Sequence, residues 1–150
     1  METARPAADA VRGRPTVQLI AILVAAILVF VGIIGFIPGL TTNLYDGLEF
    51  AGDDGDAEIL GVFETSVLHN LVHLLFGLVG LALARTWSGA RTFLIGGGII
   101  YVALWLIGVL GGLDWIPVSD PDDWLHFVLG VAMIGLGFAT TRQGPGPGAV

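Results

Sequence analysis

The chain has 150 residues, 55% of them hydrophobic and only 13% charged, with a mean hydropathy of +0.86. That composition excludes an ordinary soluble domain of this size and makes a lipid bilayer the expected solvent. The net charge is −7 and there is no cysteine, which excludes disulfides, thiolate metal sites and a cysteine nucleophile.

Residues 1–16 carry Arg5, Arg12 and Arg14 together with Pro6 and Pro15 and show no apolar periodicity, the pattern of a flexible arm. The apolar run 17–37 is longer than a signal core and no clear small-x-small cleavage site follows it, so a retained first span is expected. At the helical rise it covers about 31 Å, enough to cross the hydrocarbon. Gln18, Ala21, Ala25, Val29, Gly32 and Phe36 share one arc, and a face this small lets helix backbones approach closely.

The connection from Pro38 to Ser66 is acidic and rich in turn formers. Asp56 is placed to cap a helix over AEILGVFETS, either lying at the interface or extending the second span outward. The second span is expected over 67–84. After a tight turn, TWSGAR, the third is expected over 92–113, with Leu94, Gly97, Gly98, Tyr101, Leu104, Trp105, Gly108 and Gly112 on one face. The pair Gly108 and Gly112 suits packing inside a bundle. Ser119 or Asp120 can cap a fourth helix with Pro121 at its first position, and the span is expected over 124–140. Trp115 and Trp124 suit an outer aromatic belt and Trp87 an inner one. The stretch 143–150, QGPGPGAV, is expected to be a flexible tail. The whole predicts an all-α, four-transmembrane-helix bundle over 17–142.

All six basic residues are arginines, and they fall in the two terminal segments and the connection between the second and third spans. Only Glu2 and Asp9 share those segments, leaving +4 there against −11 in the other two connections. Arginine excess marks the cytoplasmic face, so both termini are expected inside the plasma membrane and connections 38–66 and 114–123 outside.

Two stretches break the apolar pattern. In HNLVHLLFG, Asn70, His73 and Gly77 are spaced as Asp123, His126 and Gly130 are in DWLHFVLG, and GIIGFIP at Gly32 to Pro38 resembles GVLGGLDWIP at Gly108 to Pro117. Two tandem hairpins are therefore expected, and because each contains two spans both enter the membrane in the same direction, related by a pseudo-two-fold along the membrane normal. His69, Asn70, His73, Asp122, Asp123 and His126 are the candidate site. One reading is a polar clamp, in which these side chains hydrogen-bond across helices and set their rotation at about 0.6 to 2 kcal/mol per bond. Alternatively, His69 and His73 at i, i+4 with His126 and Asp122, Asp123 or Glu64 suit a metal ion, or His73 and His126 suit axial haem ligands. A third reading is a proton-responsive transport or sensor component. DDGDAE at Asp53 to Glu58 lacks calcium-loop spacing, and no Walker loop, nucleophile elbow or basic recognition helix is present, so neither catalytic residues nor a nucleic-acid partner are expected.

GFIPGLTTN, LYDGLEFAG, SVLHNLVHLLFGLVGLALAR and DDWLHFVLGVAMIGLG together resemble the four-helix actinobacterial membrane family known as domain of unknown function 4383, over roughly Val17 to Gly137. The resemblance implies the topology and supplies no activity, substrate or site residue. A non-enzymatic structural or accessory membrane protein without a cofactor, acting through membrane-protein partners or self-association, is the expectation.

Overall fold

Leu, Ile, Val and Ala fill residues 19–29 without a single glycine or proline, and this run lies in the first helix, α1 (Thr16–Ile34). The computed structural model describes residues 15–52, 55–111 and 120–140. The expected arm up to Arg14, residues 53–54, residues 112–119 with the expected end of the third span, and the expected tail 143–150 lie outside these. Gly35 ends α1, and the Thr41 hydroxyl donates to the Ile34 carbonyl at 2.9 Å, satisfying one of the acceptors a helix end leaves open.

Three further helices follow: α2 (Val67–Leu83), α3 (Trp87–Val109) and α4 (Asp120–Ala139). Ser66 caps α2 by accepting from the His69 N–H at 3.2 Å, and Thr86 caps α3 by accepting from Gly89 at 3.0 Å. Three of the four, Thr16–Ile34, Trp87–Val109 and Pro121–Ala139, are long and apolar enough to cross a membrane; α2 is apolar but shorter.

The structure corrects several boundaries. α1 stops at Ile34, short of Ile37, and the backbone continues in tight turns in which Phe36 and Ile37 donate to Ile33 and Ile34. α3 begins at Trp87, not Thr92: Thr86 is a helix cap, so WSGAR forms the first turns of the helix. The larger correction concerns AEILGVFETS, which is neither an interfacial helix nor an extension of α2. It forms a β-hairpin of β2 (Glu58–Ile59) and β3 (Phe63–Glu64), and β1 (Thr41–Thr42) adds to β2 to make a three-stranded antiparallel sheet. Leu60 and Gly61 both have positive φ, 55° and 68°, and Val62 donates to Ile59 at 3.2 Å, so a tight hairpin turn reverses the chain where a helix was expected. The connection also packs down on α2: the carbonyls of Glu49 and Phe50 accept from the N–H groups of Val67 and Leu68 at 3.0 and 2.9 Å.

The helices pack chiefly as two antiparallel pairs, α1 with α2 and α3 with α4, while direct contact between α2 and α4 is slight. Small residues make the seams. A Cβ added at Gly77 would lie 2.7 Å from the Ala25 carbonyl oxygen and 2.6 Å from Val29; one added at Gly130 would lie 2.9 Å from the Gly98 carbonyl oxygen and 2.9 Å from Val102. Outside the seams, Leu23, Ile27 and Phe30 on α1, Leu75 and Leu78 on α2, Ile99 on α3, and Val128 and Phe138 on α4 all face outward. A surface this apolar on all four helices is at rest only in lipid or against another apolar surface.

Candidate functional site

The polar residues singled out above gather at the end of the helices that carries the sheet. Asn70, on the first turn of α2, is fully buried, and its side chain fills the space a Cβ would take at Gly35. Its amide oxygen accepts from the Thr65 hydroxyl at 2.8 Å. On α4, Asp123 occupies the corresponding slot over Gly108 of α3. Each polar group is thus a packing piece, seated where the neighbouring helix has no side chain.

These contacts belong to a longer correspondence. Gln18 Nε2 donates to the Ala84 carbonyl at 2.9 Å, and Arg91 Nε donates to the Gly137 carbonyl at 2.8 Å. Gly77 meets Ala25 and Val29 as Gly130 meets Gly98 and Val102, and Gly32 faces Leu74 where Trp105 stacks on Phe127 at 4.6 Å. In every case the α3 residue stands at one constant offset from its α1 counterpart, and the α4 residue at another from its α2 counterpart. The same register pairs Gly108 with Gly35, not with Gly32 as the GIIG and GVLG strings suggest.

The histidines lie nearby without forming a common centre. His69 and His73 stack with ring centroids 4.5 Å apart and planes tilted by 47°. His126 is buried on α4 against Tyr101, at 5.0 Å, and Tyr101 in turn lies 6.0 Å from Phe76 on α2, filling space between the two pairs. His73 is within electrostatic range of both His69 and His126, and Asp122 is within range of Asp123 and Glu64. Among the described residues, no group of three His, Asp or Glu side chains is placed to hold a metal ion.

One pair remains chemically distinctive. His126 Nδ1 and Asp122 Oδ2, one turn apart on α4, are 3.6 Å from each other, too far for a hydrogen bond, and both atoms are buried. His73 Nδ1 and Trp105 Nε1 are likewise buried without a hydrogen-bond partner among the described residues.

Two features at the opposite end were not anticipated, the Gln18 and Arg91 bonds to helix carbonyls. Their signal was available in position: each stands near the start of its helix, but one is an amide and the other a guanidinium, so identity hides the match.

A family model described as Domain of unknown function (DUF4383) matches residues 18–139. No curated protein and no solved structure matches the chain.

Proposed function

The chain belongs to the DUF4383 family, and from that premise we propose that it is a four-span, non-catalytic membrane protein built from two copies of one helical hairpin, serving a structural or accessory role through partners in the bilayer. The observation that carries this reading is the seating of Asn70 and Asp123 in matching glycine slots, Gly35 and Gly108. Side chains committed to filling a helix seam act as a clamp on helix rotation, not as free chemical groups. The constant offsets of the other contacts support a duplicated hairpin, with the pseudo-two-fold along the membrane normal that even parity requires. α2 supports a fourth span by running antiparallel to α1 from Asn70 at Gly35 to Ala84 at Gln18. The arginine distribution supports cytoplasmic termini, with the sheet and the polar clamp on the outer side.

The experiment is a pair of topology reporters. One fused after Arg142 reports cytoplasm, and one inserted at Asp54 reports the outer side. The reverse pattern, or both on one side, overturns the orientation.

A second reading, a proton-responsive component, is favoured by the buried Asp122 and His126 atoms 3.6 Å apart. It expects wild-type Tm to fall on acidification below about pH 6.5, where the unfolded imidazole takes up a proton that the buried His126 resists, and His126→Gln to flatten that fall. A variant with the wild-type pH profile removes it.

A further inference from the structure

Arg91 does more than its counterpart in the first hairpin. Gln18 and Arg91 each close the carbonyl of a neighbouring helix end, Ala84 and Gly137, and Nε2 of glutamine and Nε of arginine stand the same number of bonds from their Cα atoms. For that hydrogen bond a neutral amide suffices, as Gln18 demonstrates. Arginine adds a full positive charge and two terminal amino groups beyond the bonded Nε. Among the described residues no carboxylate pairs with that charge. The guanidinium is instead flanked by aromatic rings, 5.5 Å from Trp87 and 5.6 Å from Phe138.

The side chain also lines an open-sided cavity of about 390 Å³, within the usual range for small-ligand pockets. Its other lining residues are Trp87, Ser88, Thr92, Ile95 and Gly96. Ser88 and Thr92 contribute hydroxyl donors, and the first turn of α3 adds the positive end of a helix dipole. A fixed guanidinium, two hydroxyls and a helix start around one cavity match the requirements of a phosphate group. Trp87 and Ile95 add apolar wall, which suits a phosphate carried on a larger, partly apolar molecule.

We propose that the cavity bounded by Trp87, Ser88, Arg91, Thr92, Ile95 and Gly96 is a phosphate-binding site, its ligand either the headgroup phosphate of an anionic lipid or a soluble phosphate. The lipid source rests on the membrane reading above; the soluble source does not, so the two can fail separately.

The test uses the full chain purified in detergent and native mass spectrometry, titrating phosphatidylglycerol, phosphatidylcholine and inorganic phosphate. Two variants isolate the site. Arg91→Gln reproduces the Gln18 arrangement, keeping the bond to Gly137 while deleting the charge. Gly96→Leu fills the cavity from a position where an added Cβ meets nothing within 4 Å. Wild-type protein is expected to retain phosphatidylglycerol over phosphatidylcholine, and both variants to weaken it at least about tenfold. Displacement of the lipid by millimolar phosphate supports the site with a soluble ligand; resistance to displacement supports it with a lipid. If both variants hold phosphatidylglycerol and phosphate as the wild type does, the proposal is overturned. Should Arg91→Gln fail to fold, Gly96→Leu alone decides.

Discussion

The two hairpins use the same seams for different ends. In α1 and α2 the matching positions are uncharged and carry no aromatic ring: Gln18, Ala25, Gly32, Gly35, Asn70 and Gly80. In α3 and α4 the same positions hold Arg91, Gly98, Trp105, Gly108, Asp123 and Met133. The second hairpin carries charge, aromatic rings and an open cavity at these positions while making backbone contacts at the same spacing. Where a contact is shared, its role is to hold helices together; where only the second hairpin has a feature, the scaffold does not need it. By that rule Arg91, and Asp122 standing where the first hairpin has His69, are the places to look for activity toward something outside the bundle.

The largest effect should come from the shared contacts. Gly77→Val and Gly130→Val each drive a side chain into the facing backbone, where even a Cβ would sit within 3 Å. Each should cost at least about 3 kcal/mol, read as loss of cooperative thermal unfolding in detergent. A hairpin that tolerates valine would show that its seam is not the one described.

Exchanging the clamp residues should be asymmetric. Asn70→Asp places a carboxylate in a fully buried slot, and about 2 kcal/mol or more of stability should be lost. Asp123→Asn converts the half-buried carboxylate into the amide that the first hairpin already uses, and a change below about 1 kcal/mol is expected. Equal losses would mean that the two slots differ less than their burial suggests. The smallest effect belongs to Arg91→Gln, which should change stability by no more than about 0.5 kcal/mol while altering ligand retention.

Much of this was legible in the order of residues. The buried faces of α2, α3 and α4 follow the 3.6-residue spacing of Ser66, Asn70, Gly77, Gly80 and Ala84, of Leu94, Gly97, Gly98 and Tyr101, and of Asp122, His126, Gly130 and Met133, because small or polar residues stand out in an apolar helix. The sheet was hidden because strands of two residues leave no alternation to detect, and because the turn places Leu60, which usually avoids positive φ at a cost of about 1 to 2 kcal/mol, where Asn or Gly normally signals it. Ser88-Gly89 reads as a turn in sequence, which sets the expected start of α3 at Thr92, although Thr86 is the cap. The meeting of Asp123 with Gly108 depended on a three-residue register that similar GxxG strings conceal, so only geometry distinguishes Gly35 from Gly32 as its counterpart. Whether His69, His73 and His126 converge depends on helix rotation, which periodicity within one helix does not determine.

The most direct test is a pair of double-mutant cycles on thermal stability in detergent, Gly35→Ala with Asn70→Ala in the first hairpin and Gly108→Ala with Asp123→Ala in the second. Each alanine at glycine is expected to destabilise by about 1 to 3 kcal/mol because its Cβ meets the polar side chain, and to cost much less once that side chain is gone. Coupling of the same sign in both hairpins is the result predicted for one clamp used twice. Additivity in either cycle would contradict it.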